Sequence, residues 1–133
     1  MKYYKYSAVI LVLSACFIIF SGCQDDTPVA GNYPTVGLSS WYIPHRTSSG
    51  EINRSQEYTC AMRKRDFSKY YLVCNLENNK CVVARHNDFG PSFFLFKQGR
   101  IIDLSKRAFS RIADLKKGVT RVRIGQVYPG QTD

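Results

Sequence analysis

The 133 residues are 44% hydrophobic and 22% charged, material for one modest core and too little for two. Nineteen Lys and Arg against ten Asp and Glu leave a net charge of +9 at pH 7, so acidic partners are expected. Five cysteines and two histidines lack the paired spacing of a zinc site, and no metal or cofactor is expected.

The chain opens with Lys2 and Lys5 and no acid, and then runs uncharged for 14 residues from Ser7 to Phe20. The small Ser21 and Gly22 follow, and Cys23-Gln24-Asp25-Asp26 turns polar. This order is that of a secretory signal, and the apolar run falls short of the roughly 20 residues a bilayer span needs. Residues 1–22 are therefore read as a signal peptide. Leu13-Ser14-Ala15-Cys16 and Phe20-Ser21-Gly22-Cys23 both resemble the lipobox of bacterial lipoproteins. A cut at Cys16 would strand Phe17–Phe20 on the mature start, whereas Cys23 leaves the apolar segment whole. Cys23 is thus the expected lipidation site, its acyl chains holding the protein to a membrane. Removing Lys2 and Lys5 lowers the charge from +9 to +7. Gln24 after the acylated residue points to the outer membrane, facing the periplasm. That compartment argues against nucleic acid and for peptidoglycan carboxylates or anionic headgroups.

Residues 23–36 mix Pro, Gly and acids without periodicity and read as a tether. The folded domain is expected over 37–128, with a short tail at 129–133. Gly37–Tyr42 reads as a first strand and His45–Gly50 as a polar loop. Tyr70–Cys74 and Cys81–Arg85 are β-rich runs joined by the turn-like Asn75–Lys80, a hairpin signal. Cys74 and Cys81 flank that turn and are the best disulfide candidates in an oxidising compartment, leaving Cys60 over. Asn87–Pro91 reads as a turn by composition. Arg100–Asp103 is a short strand leading into a helix that Asp103 or Ser105 can cap. Ala108, Ile112 and Leu115 recur at helical spacing, with Lys116, Lys117 and Gly118 at the end. From Val119 to Val127, Thr120, Val122 and Ile124 alternate with Arg121 and Arg123, the pattern of a half-buried strand. Many short strands with one or two short helices predict a mainly β protein, a small closed barrel.

Several segments, in order, resemble the RlpA-like (rare lipoprotein A) lytic transglycosylases. They are Ser39–Tyr42, Thr47–Glu51, Asn75–Asn78, Val82–Arg85, Asn87-Asp88, Gly90-Pro91, Gly99–Ser105 and Gly118–Arg123. The resemblance implies a six-stranded double-psi β-barrel. It also implies an enzyme that cuts peptidoglycan glycan strands, preferably strands lacking stem peptides, to anhydromuramoyl ends. Three positions depart from the family pattern: Asn53 stands for an acid, Met62 for a histidine and Phe89 for an arginine. An alternative remains that the chain is a non-catalytic glycan-binding or structural envelope lipoprotein.

Lytic cleavage needs a proton delivered to the leaving oxygen and then a base for the C6 hydroxyl of the same sugar. One carboxyl can serve both in turn. The resemblance makes Asp88 the catalytic candidate, with Glu51 assisting. A carboxyl that keeps its proton must be shielded from water, and Phe89, Phe93, Phe94 and Phe96 are the expected shield. In an extended Arg85–Asp88, His86 would share a face with Asp88 and could replace the missing imidazole. Trp41 and Tyr42 are candidates to stack on sugar rings. Arg100 and Asp103 are expected to support the barrel and the helix rather than to touch substrate.

Overall fold

A computed structural model describes residues 33–52 and 56–128. The signal peptide, Cys23, most of the tether, Asn53 and the tail lie outside the described residues. Six strands close into a barrel: β1 (Val36–Tyr42), β2 (Thr59–Met62), β3 (Tyr70–Asn75), β4 (Cys81–Phe89), β5 (Arg100–Ser105) and β6 (Val119–Val127). Their order around the barrel is β1-β5-β2-β4-β3-β6. The pairs β1–β5 and β2–β4 are parallel, and the others are antiparallel.

The strand alternation of β6 places Thr120, Val122 and Ile124 inside and Arg121 and Arg123 outside, as its sequence predicts. Val73, Ile102, Leu104, Phe109, Ile112 and Val122 are among the fully buried core side chains. The β3–β4 hairpin forms as expected, and Cys74 and Cys81 are disulfide-bonded across it. Cys60 is buried in the core, and burial pushes its thiol well above the ordinary range. The folded body starts before Gly37. Tyr33 donates to the Ile101 carbonyl at 2.5 Å and packs its ring against Phe96.

Two helices lie on the barrel. The first, α1 (Phe93–Lys97), is capped by Ser92 and carries no fully buried residue. Its run of apolar residues has neither helical nor strand periodicity, so the sequence does not announce it. The second, α2 (Lys106–Ile112), is capped by the Ser105 side chain and buries Ala108, Phe109 and Ile112. It is shorter than its pattern suggests. Ala113 is extended, and the Asp114 side chain caps a separate 3₁₀ turn, Leu115–Lys117. Short acids compete in this way for backbone N–H groups and interrupt helices. Gly118 then adopts φ +70°, which costs glycine little. Asn75 and Asn78 both donate to the Ile112 carbonyl, satisfying the end of α2.

Both parallel pairs carry a one-residue bulge. Leu38 and Ser39 on β1 face Arg100 and Ile102 on β5, so Ile101 is the extra residue. Cys60 and Ala61 on β2 face His86 and Asp88 on β4, so Asn87 is the extra residue. A bulge shifts the alternation of every residue beyond it. Here Ile101 and Ile102 are both buried in succession, and so are His86, Asn87 and Asp88. Asn87 and Asp88 thus belong to β4, where composition suggested a turn.

The β5 bulge has a steric requirement. A Cβ on Gly37 would stand 2.7 Å from Ile101 Cγ2 and 2.8 Å from the Gly99 carbonyl oxygen. Since the oxygen is backbone, it cannot move aside cheaply. Gly37→Ala is expected to destabilise the barrel by about 1–3 kcal/mol, measurable as a lower midpoint in urea with unchanged m-value.

Candidate active site

Past the two bulges, three neighbouring strands bring together Asp103 of β5, Ala61 of β2 and Asp88 of β4. Ala61 pairs with Asp103 on one side and with Asp88 on the other. The floor between the acids is made of small residues. A Cβ at Gly90 would lie 3.6 Å from the Ala61 Cβ and 4.0 Å from Asp103 Oδ2. Ser40, paired with Asp103 across β1–β5, and Tyr42 complete the cluster.

The two carboxyls differ in surroundings. Asp88 is held by four donors. Its Oδ1 accepts from the Ser48 N–H, the Ser48 hydroxyl and the Phe89 N–H, each at 2.8 Å, and its Oδ2 accepts from the Tyr42 hydroxyl at 2.9 Å. Burial, together with the adjacent Asp88 charge, pushes the Tyr42 phenol far above its ordinary value, so it stays a donor. Asp103 is only partly exposed, and burial raises its pKa. The charge of Asp88 pushes the same way, while the Ser40 hydroxyl and Arg100 oppose. Ser40 donates to Asp103 Oδ1 at 2.5 Å, which leaves Oδ2, on the Gly90 side, as the oxygen to carry the proton. Burial and the neighbouring carboxylate therefore favour the protonated form of Asp103.

This redistributes the roles read from the sequence. Of the phenylalanines expected to shield Asp88, Phe94 is exposed and the other three are engaged elsewhere. Phe89 lies under the Arg63 and Arg65 guanidiniums, Phe93 under Arg63 and Lys97, and Phe96 against Tyr33. Asp103 was expected only to support the barrel and cap a helix. Ser105 caps instead, and Asp103 faces Ser40. The signal that could have found it is an acid embedded in the apolar run Ile101-Ile102-Asp103-Leu104, since charge inside such a strand needs a reason.

Glu51 does not face the pair as an acid. Its two oxygens accept from both terminal nitrogens of Arg85, at 2.7 and 2.9 Å, and from Asn87 at 3.2 Å. Hydrogen bonding to Arg85 holds it down at about pH 2. Arg85 also bonds Glu57. With Thr47–Gly50, Glu51 forms a turn latched to β4, in which the Ser49 N–H donates to the Asn87 carbonyl and Ser48 donates to Asp88. Glu51 thus positions Asp88 through that turn.

His86 does not share a face with Asp88, because the Asn87 bulge intervenes. Its ring is fully buried, against Phe67 and Tyr71. Its Nε2–H donates to the main-chain carbonyl of Asp88 at 3.0 Å, and its Nδ1 faces Asp66 at 3.4 Å. Burial lowers its pKa despite the opposing Asp66 charge. It braces the bulge from inside. Met62 likewise points into the core. Trp41 is half-buried and donates its indole N–H to the Leu115 carbonyl at 3.0 Å, and Tyr42 is a donor to Asp88 rather than a free stacking platform.

Residues 35–124 match the family model described as lytic transglycolase. The chain is 37% identical over 103 residues to the endolytic peptidoglycan transglycosylase RlpA of Haemophilus influenzae, covering 74% of this chain and 34% of that protein. It is 35% identical over 104 residues to the RlpA of Neisseria meningitidis, covering 75% and 42%. Against the RlpA of Vibrio cholerae, identity is 40% over 92 residues, covering 66% and 34%. The chain thus spans about a third of the length of the curated relatives it matches. Among solved structures, an expansin from Clavibacter michiganensis superposes with a TM-score of 0.54 at 13% identity, covering 74% of this chain and 52% of that one. A mutant of that expansin, in complex with cellohexaose, gives a TM-score of 0.52 at 13% identity, with the same coverage. These two establish the barrel fold.

The Glu51–Arg85 pair gives an acid limb to stability. Glu51 has its pKa depressed from 4.5 to about 2 on folding, so its contribution is present above 4.5 and is lost as pH falls toward 2. The pair is partly exposed and worth about 1 kcal/mol or less. Glu51→Gln is expected to destabilise the protein at pH 7 and to be neutral at pH 2, seen by comparing denaturation midpoints at the two pH values.

Proposed function

Because the chain belongs to the RlpA-like lytic transglycosylase family of double-psi β-barrels, we propose that it cleaves peptidoglycan glycan strands without water, leaving anhydromuramoyl ends. The observation that carries this reading is the Asp103–Asp88 pair, one carboxyl whose protonated form burial favours and the other held by four donors, across a floor of small residues. The expansin bound to cellohexaose is consistent with a glycan lying on this kind of barrel.

In this mechanism Asp103 Oδ2–H gives its proton to the bridging glycosidic oxygen as the bond from C1 to that oxygen breaks. The C6 hydroxyl oxygen of the same sugar then bonds to C1, and its proton passes to the Asp103 carboxylate, which regenerates the acid. The products are a 1,6-anhydro end and a new hydroxyl end. Ser40 orients Asp103 throughout. The fixed charge of Asp88 keeps Asp103 a proton carrier and stabilises positive charge developing at C1. Tyr42 and the Thr47–Glu51 turn hold Asp88 in place.

Lipidation of Cys23, as the sequence suggests, would put the barrel on a tether of about ten residues, reaching roughly 35 Å at most. The chemistry would then take place close to a membrane, where an outer-membrane, periplasm-facing anchor meets the wall.

Incubating the purified protein with peptide-free glycan strands should yield anhydromuramoyl ends by mass spectrometry. Asp103→Asn and Asp88→Asn should each lower the rate by about 10²-fold or more. Glycan binding without products in the wild type would instead establish a non-catalytic binder. Stability should respond in the opposite sense. A carboxyl whose folded pKa lies above 3.8 stabilises the fold fully below 3.8 and loses that contribution as pH rises. Asp103→Asn cannot ionise, so it is expected to melt a few degrees above wild type at pH 7, with the gap closing near pH 3.

A further inference from the structure

Tyr42, whose hydroxyl bonds Asp88, also lines a cavity of about 390 Å³ whose walls include Ile43, Gln56, Lys106, Arg107 and Leu115. That volume falls in the range of sites for small ligands. Its walls combine apolar surface with two cations and no acid. Ile43, at 65% exposure, offers an apolar face. Arg107 hydrogen-bonds Gln56 and lies over the Tyr58 ring, and Lys106 lies over Trp41. Among the described residues, no carboxylate lies within ion-pair distance of either cation.

The location of these cations is costly to the helix. Lys106 and Arg107 are the first two residues of α2, whose first turn contains no acid. The helix dipole disfavours positive charge at that end, so neither residue is there to stabilise α2. Their neighbours fix them in place and leave both charges open to the cavity, an arrangement suited to an incoming anion.

We propose that this cavity is a subsite for a carboxylate-bearing sugar of the glycan, with Lys106 and Arg107 taking the carboxylate and Ile43 and Leu115 the apolar face of the ring. The proposal rests on the glycan-cleaving reading above and names the substrate feature that this site selects. Tyr42 forms one wall of the cavity and bonds Asp88 through its hydroxyl, so a sugar seated here lies one side chain from the acid pair. In peptidoglycan such a carboxylate comes either from the lactyl arm of a muramoyl sugar or from a stem peptide.

The test titrates the purified protein with peptide-free strands, with the same strands after conversion of their lactyl carboxylates to methylamides, and with peptide-bearing strands. Binding is followed through the backbone amide signals of Ile43, Lys106 and Arg107, with cleavage assayed separately. Peptide-free strands should bind roughly tenfold or more tightly than their methylamides. Lys106→Gln/Arg107→Gln should abolish that difference without lowering thermal stability. Tightest binding by peptide-bearing strands, lost when the peptide carboxylates are amidated, would support the subsite and assign its carboxylate to the stem. Equal affinity for acid and amide strands, or signal changes confined to the Glu51 face, would overturn the subsite whether or not cleavage occurs. Carboxylate-dependent binding without cleavage would remove the enzymatic reading and keep the subsite. No binding by any strand would remove both.

Discussion

Two single-residue bulges, at Ile101 in β5 and at Asn87 in β4, are the constraint on which the site depends. Each lies in one of the two parallel pairs of the barrel, just before an aspartate. Period-two alternation allows a strand no gradual correction, and one extra residue exchanges inside for outside. Without the Asn87 bulge, Asp88 would follow His86 into the core. Without the Ile101 bulge, Asp103 would change faces relative to Arg100. With both, the acids flank Ala61 on the same side of the sheet. The remaining special features serve these shifts. Gly37 leaves room for Ile101, and His86 bonds the Asp88 carbonyl from the core side. The Thr47–Glu51 turn grips β4 from outside.

The site also stores electrostatic cost. A partly buried carboxyl next to another carboxyl disfavours its own ionised form, and that cost falls on Asp103 at neutral pH. Structural acids in the same protein show the opposite arrangement. Glu51 is matched by a bidentate guanidinium. Burial opposes the charge of Asp66, but Lys69, Lys64 and His86 together outweigh it and hold its pKa down. Among the described acids, only Asp103 combines burial, a like-charged neighbour and a single hydroxyl partner, and a carboxyl destabilised in this way is characteristic of a functional position.

What could be read from the sequence follows from how local each determinant is. The β6 alternation, the Cys74–Cys81 hairpin and the Ser105 cap depend on neighbours within a few residues, and the structure agrees with all three. β2 escapes notice because Thr59–Met62 is four residues long and buried throughout, so it has no polar face to reveal its period. The bulges are set by pairing between strands some 25 to 60 residues apart, and no local pattern encodes them. That gap explains the errors at the site. His86 and Asp88 read as face-sharing because an ideal strand was assumed. Glu51 read as a second acid because its partner, Arg85, lies 34 residues away. The family motifs pointed to Asp88, while the placement of Asp103 beside it emerges only when Ser40, Ala61 and Gly90 are seen around it.

The proton chemistry is then narrowed by what its neighbours cannot do. Tyr42 touches Asp88, but burial and that carboxylate hold its phenol protonated far beyond neutral pH, so it can donate a hydrogen bond and not a proton. Glu51 is ionised down to about pH 2 and has both oxygens occupied by Arg85. His86 titrates below its ordinary range and lies on the core side of β4, with its Nε2–H committed to a main-chain carbonyl. Asp88 has every donor around it already directed at its oxygens. Among these groups, only Asp103 combines a pKa raised by burial, an oxygen free of other donors and space above it left by Gly90. A single carboxyl that gives and then recovers one proton suffices when the attacking hydroxyl belongs to the substrate itself, so the cluster needs no second acid.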